Sequence, residues 1–93
     1  MKNIGFILKR LRQVYGDSAK DFSVKLGLSS SYLSEIENGK KNVSISILTK
    51  YAEILGIKVS SIILIAEDED SLKKENKFKQ LVQPIMKKIM LRK

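Results

Sequence analysis

Cysteine and histidine are both absent from this 93-residue chain, and proline occurs once. Without cysteine there is no disulfide framework and no thiolate chemistry. Without histidine the chain lacks the usual general base near neutral pH and the commonest metal ligand. No paired carboxylates and no phosphate-cradling motif take their place, so the sequence argues against an enzyme and implies neither metal nor cofactor. No apolar run approaches the length of a membrane span, and no hydrophobic secretory segment opens the chain. The expectation is a soluble cytoplasmic protein with no membrane attachment. Acidic residues are also few, ten against eighteen Lys and Arg, for a formal net charge of +8. That imbalance favours anionic partners, nucleic acid above all, through long-range attraction and counterion release.

What the chain does contain is helical periodicity. Hydrophobic residues make up 43 % of it, enough for one small core with an appendage. Ile4, Ile7, Leu8 and Leu11 recur at helical spacing and predict a helix from Asn3 to Val14, with Lys9 and Arg10 on its more polar side. Gly16 breaks that pattern. Ser18 suits the cap of a second helix, with Asp21 as a capping-box-like carboxylate, Phe22 and Leu26 facing inward, and Gly27 as a left-handed stop. After the apolar turn residue Leu28, Ser29 caps a third helix whose inner stripe is Tyr32, Leu33 and Ile36, ended by Asn38-Gly39. Two short helices joined by a tight glycine-containing turn predict a helix-turn-helix. Ser44 caps a fourth helix carrying Ile45, Leu48, Tyr51, Ala52 and Leu55, and Gly56 ends it. A fifth spans Ser60 to Ile65 with Ile62, Ile63 and Leu64; its β-branched content also permits a strand, but no partner strand is apparent.

The acidic run Glu67-Asp68-Glu69-Asp70 marks a boundary between a domain over residues 1–66 and an extension over 67–93, and it offers negative charge to a following helix. From residue 71 to 93 there are eight basic residues and one acid. Phe78, Leu81, Val82, Ile85, Met86, Ile89 and Met90 keep a helical interval. Pro84 predicts a kink or the start of a second helix. Four uses of the apolar face formed by Phe78, Leu81, Ile85 and Ile89 are open: a second subunit, which ranks first, docking onto the same chain around Ile62–Leu64, a protein partner, and last an anionic membrane surface.

The stretch "LGLSSSYLSEIENGKKN" carries the functional signal. A helix N-terminus exposes backbone N–H groups that favour anions. In a major groove, short side chains there approach base edges. Ser30, Ser31 and Ser34 form the polar side of the third helix, and Glu35 can accept from cytosine N4. Ser29, Asn38, Lys40 and Lys41, with Lys20 near the second helix, are candidates for phosphate contact. Taken singly, these residues also fit a plainer use as cap, solvated face, turn and solubilising charge. Taken as an ordered arrangement on two adjacent helices, they fit double-stranded DNA.

The segments "IGFILKRLRQVYG", "SAKDFSVKLGLSSSYLSEIENGKKNVS" and "ILTKYAEILGIKVSSII" resemble the Cro/C1-type helix-turn-helix repressors, the XRE family, over residues 4 to about 65. The resemblance implies an all-α, five-helix, lambda-repressor-like domain, to which the chain adds its amphipathic helical extension. It implies that the third helix reads operator DNA with Ser30, Ser31, Ser34 and Glu35, that the protein is a homodimer, and that Arg12 and Glu37 form an ion pair bracing that helix. Arg12 is further expected to extend toward phosphate. Three positions depart from the family pattern. Ala19 stands where glutamine is common, Val43 where proline is common, and the recognition face is serine-rich. The expected function is a sequence-specific transcriptional repressor; the alternative is an antitoxin whose extension binds a protein partner.

Overall fold

Six α-helices make up the structure, a computed structural model that describes residues 4–91. They are α1 (Ile4–Tyr15), α2 (Ala19–Leu26), α3 (Ser30–Glu37), α4 (Ile45–Leu55), α5 (Val59–Glu67) and α6 (Ser71–Leu91), with no strand among the described residues. The expected start at Asn3 and the final residues Arg92 and Lys93 lie outside the described residues.

Most boundaries have a local cause. Ser18, Ser29 and Ser44 each lie in extended backbone, and each Oγ accepts the N–H three residues on, from Asp21, Tyr32 and Ile47 at 3.0–3.1 Å. These bonds satisfy N–H groups that the helix itself leaves unpaired. Gly27 and Gly56 end α2 and α4 at φ of 74° and 76°, a left-handed conformation that glycine adopts without strain. At the start of α6, Asp70 Oδ1 accepts from the N–H groups of Leu72 and Lys73 at 2.9 and 3.0 Å. The last member of the acidic run therefore supplies the negative helix end that the sequence suggested.

One core joins all six helices. Leu8 and Leu11 of α1, Phe22 and Leu26 of α2, Leu33 and Ile36 of α3, Leu48, Tyr51 and Leu55 of α4, and Ile62 and Ile65 of α5 are all buried in it. α5 is helical, because Ile62, Ile65 and Ala66 reach the core at helical spacing and no strand is available for pairing. Three positions read as core from spacing alone face outward instead. Tyr32 is 38 % exposed, because Leu33, Ile36 and Glu37 occupy the inner arc of α3. Ile45, the first residue of α4, projects into solvent while Leu48 takes the inner place, and Leu64 lies opposite the buried arc of α5.

The extension departs furthest from expectation. α6 runs unbroken through Pro84, so no second helix starts there. Proline costs a helix one bond to the carbonyl four residues earlier; both Pro84 and Gln80 are exposed, and water can satisfy that carbonyl. The face assigned first to a second subunit is used inside the chain. Phe78, Leu81 and Ile85 are buried in the common core and Ile89 packs against it, with α6 lying on α1 and α5. Each fully buried side chain of this kind contributes about 1.5–3 kcal/mol, reason enough for the helix to fold back.

Polar contacts fasten the same helix. Arg10 donates to both oxygens of Glu75, at 2.9 and 3.2 Å, and stacks 3.8 Å from the centre of the Phe78 ring. That hydrogen-bonded guanidinium holds the Glu75 carboxyl below the usual range. At the other end, Lys88 Nζ donates to the Ile54 carbonyl at 2.5 Å, near the end of α4. Among the described residues no helix is long and apolar enough to cross a membrane, the 21-residue α6 included.

Candidate nucleic-acid interface

The α2–turn–α3 unit is held from within. Gly27 and Leu28 donate to the carbonyls of Val24 and Ser23 at 3.1 and 2.9 Å, closing α2 and turning the chain toward Ser29. Ser23 is buried, and its hydroxyl donates to the Lys20 carbonyl at 2.7 Å, so this small polar residue adds no unpaired group to the helix contact. α3 presses Leu33 and Ile36 into the core and leaves Ser30, Ser31 and Ser34 exposed and Glu35 half-exposed along its opposite side. Tyr32 stands at the edge of that open face, a residue that the spacing argument assigned to the core.

A buried charge network fixes the inner side of the same helix. Arg12 Nε donates to Glu37 at 3.0 and 3.2 Å, and Arg12 Nη2 donates to Glu37 Oε1 at 2.9 Å. Arg12 Nη1 donates to the Asp17 carbonyl at 2.9 Å. Tyr51 of α4 completes the set, its hydroxyl donating to Glu37 Oε2 at 2.6 Å. The hydrogen bonds that Arg12 donates to Glu37 hold its guanidinium in the charged form more firmly than usual. Burial, then the bond to Glu37, pushes Tyr51 far above the ordinary tyrosine range. Arg12 is thus enclosed and committed to protein partners, and it does not extend toward a phosphate. Tyr51 was read from the sequence only as a core residue; nothing in its helical spacing signals the hydroxyl's partner.

Beyond α3 the loop folds back onto it. Lys40 and Lys41 donate backbone N–H groups to the Glu35 carbonyl at 2.8 and 3.3 Å, and Asn38 Nδ2 donates to Ser34 Oγ at 3.3 Å. Gly39 adopts φ of 78° to allow the turn. The Lys40 and Lys41 side chains remain exposed, as does Lys20 on α2. Lys41 Nζ lies 3.9 Å from Glu35 Oε2, an exposed pair that contributes little to stability. The Ser29 oxygen is occupied by its cap, but its hydroxyl proton is still available to donate. Asn42, which carried no sequence signal, joins Asn38 and Lys41 along an open groove of about 770 Å³ between the start of α1 and the α3–α4 loop. Gly5 lines the inner end of this groove, and a β-carbon there would overlap the Ile36 carbonyl. α1 can approach the end of α3 this closely only because that side chain is missing.

Residues 8–62 match the profile of the helix-turn-helix family. The chain belongs to the helix-turn-helix family. Two curated proteins are similar to it. The control protein C.MunI of a Mycoplasma species is 41 % identical over 63 residues, which is 67 % of this chain and 85 % of that protein. An uncharacterised HTH-type transcriptional regulator of Methanocaldococcus jannaschii is 32 % identical over 62 residues, 67 % of this chain and 94 % of that protein. No solved structure matches the chain. The protein therefore carries a helix-turn-helix domain related to HTH-type transcriptional regulators. The family match ends within α5, so α6 is an addition to the helix-turn-helix unit.

Proposed function

We propose that this helix-turn-helix protein is a Cro/C1-type transcriptional repressor that acts as a homodimer, with α3 entering the major groove of double-stranded DNA. The observation that carries the reading is the division of α3 into two sides. One is locked by Leu33, Ile36 and the Arg12–Glu37–Tyr51 network, and the other offers serine hydroxyls to solvent. A groove reader needs both, a rigid seat and a free polar edge.

Each candidate residue has a physical role in that reading. Ser30 and Ser31 occupy the first turn of α3, where unpaired N–H groups and small side chains come close to the duplex. Ser34 already accepts from Asn38, so its hydroxyl is biased toward donating, which suits purine acceptors in the groove. Glu35 can exchange its weak contact with Lys41 for the amino group of cytosine. Lys20, Lys40 and Lys41, with Ser29 and Asn38, flank the reading face and serve phosphate contact. Tyr32 adds a phenol beside them. The antitoxin alternative loses the surface first considered for it, because Phe78, Leu81 and Ile85 close the chain's own core.

Selection of bound sequences from random duplex DNA, at a stated salt concentration, tests the reading. The expected product is an inverted repeat whose half-sites lie about one helical turn apart, ~34–36 Å. Recovery of no enriched sequence would overturn it.

A further inference from the structure

Two polar contacts of α6 reach the same two helices that hold Glu37. Glu75 accepts from Arg10 of α1 at 2.9 and 3.2 Å, and Lys88 Nζ donates to the Ile54 carbonyl of α4 at 2.5 Å. Close to each contact lies a partner of Glu37. Arg12 of α1 donates to both oxygens of that carboxylate, and the Tyr51 hydroxyl of α4 donates to Oε2. The carboxylate that ends the reading helix is therefore held by the pair of helices that α6 spans. Along α6, Glu75 and Lys88 stand about 20 Å apart at the rise of an α-helix.

We propose that α6 is a clamp on the reading helix, with Glu75 and Lys88 as positioning residues that fix the spacing of α1 and α4 and, through Glu37, the seat of α3. The inference rests on the reading of DNA by α3 above and deepens it. Three features leave little slack between clamp and helix. Glu37 is buried with Arg12 and Tyr51 on its oxygens, so it cannot follow one helix away from the other without unpairing a buried group. α1 touches α3 directly at Gly5, where a β-carbon would overlap the Ile36 carbonyl. Lys88 lies across the end of α4 because Gly56 has no side chain; a β-carbon there would come within 3.2 Å of the Lys88 Cδ. Close-packed contacts of this kind pass a displacement on instead of absorbing it.

The clamp acts from outside the reading face. On α1, Gly5 and Arg12 meet α3, whereas Ile7 and Arg10 line the junction with α6, so α3 and α6 flank α1 on different sides. Glu75 thus acts on α3 through α1. It is not a strong brace of the fold, since the Arg10 and Glu75 side chains are 34 % and 45 % exposed and such a pair contributes little to stability. Phe78, Leu81 and Ile85 already hold α6 in the core. What the two polar contacts add is the direction in which α6 crosses α1 and α4. The family match ends at residue 62, so this control of α3 lies in the part of the chain beyond it.

The double variant Glu75→Gln with Lys88→Met tests the clamp. It removes both contacts and leaves the formal net charge at +8, because one charge of each sign is lost. Long-range attraction to DNA is thereby preserved. Well below the melting temperature, affinity for a selected operator should fall about 3- to 10-fold, while affinity for random duplex and the salt slope stay unchanged. In the free protein the NMR signal of the Arg12 Nε–H should shift as its bonds to Glu37 readjust. Lys88→Arg, which keeps a donor for the Ile54 carbonyl, should retain wild-type discrimination. A lower melting temperature with an unchanged ratio of specific to nonspecific affinity would leave α6 a stabilising role alone and overturn the clamp. Equal losses on both DNAs with a reduced salt slope would assign Lys88 to phosphate and overturn it as well. Should the double variant fail to fold, Glu75→Gln alone, at an open carboxylate, carries the same comparison. A wild-type chain that selects no sequence would defeat the DNA reading. The Arg12 signal then judges the clamp by itself, and an unmoved signal in the variant overturns it.

Discussion

The hydroxyl of Tyr51 is the smallest part of the buried network that can be removed without disturbing its neighbours. Tyr51→Phe deletes one oxygen and keeps the ring, which lies 4.8 Å from Phe22, while Glu37 retains every bond from Arg12. A hydrogen bond to a charged acceptor contributes about 1.5–3 kcal/mol net. Taking a loss of about 2 kcal/mol, and about 4–8 °C per kcal/mol for a domain of this size, the melting temperature should fall by about 8–16 °C. The pH dependence gives a second check. Burial and Glu37 raise the folded-state ionisation of Tyr51, whereas the unfolded chain ionises near pH 10. The resulting stability is complete below about pH 10 and declines above it by up to about 1.4 kcal/mol per pH unit, a slope that phenylalanine cannot contribute. Urea unfolding followed by circular dichroism from pH 7 to pH 11 measures both effects. A loss under about 0.5 kcal/mol at pH 7, or identical alkaline slopes in the two proteins, would refute this account of the network.

Four further perturbations probe the same geometry. Glu37→Gln leaves the enclosed Arg12 guanidinium without a counter-charge and should cost about 3–5 kcal/mol by chemical unfolding, and a cost below about 1 kcal/mol would contradict that. Gly5→Ala should destabilise by about 1–3 kcal/mol, because the added carbon meets the Ile36 carbonyl; elsewhere in a helix this change normally stabilises, so a raised melting temperature would sink the argument. Lys41→Ala should weaken binding to all DNA alike and reduce the salt slope by about 1, and an unaltered slope would remove its phosphate role. Ser31→Ala should change operator preference more than nonspecific affinity; equal losses on both would exclude base readout.

Local chemistry was the legible part of this chain. Ser18, Ser29 and Ser44 begin helices, and Gly27 and Gly56 end them, because caps depend on residues only a few positions apart. Inward stripes were readable at their centres and misleading at their margins. Tyr32 falls within the periodic window, yet Glu37 takes the inner place, since a paired and hydrogen-bonded carboxylate can be buried. The contacts of α6 were beyond such reasoning. Its apolar face was evident, but an amphipathic pattern does not say whether the covering surface belongs to the same chain. Arg10 and Glu75, 65 positions apart, meet only once the fold brings α1 and α6 together. The second helix allowed at Pro84 does not form for a different reason, because the cost of that proline depends on whether water reaches the released carbonyl. At the interface, Ser30, Ser31, Ser34 and the lysines kept the exposure the sequence suggested, whereas Arg12 did not, its guanidinium being used up by Glu37 and Asp17.

The seating of α6 also bears on how the protein is made and how it is cut. Contacts between α1 and α6 join the part synthesised early to the part synthesised late, and such distant closures slow a folding reaction. Until the late segment leaves the ribosome, Ile7 and Ile65 lack part of their cover. A fragment trimmed to residues 4–66 would keep the family signature yet leave Ile7 and Ile65 without Phe78 against them, a poor candidate for expression as a minimal module.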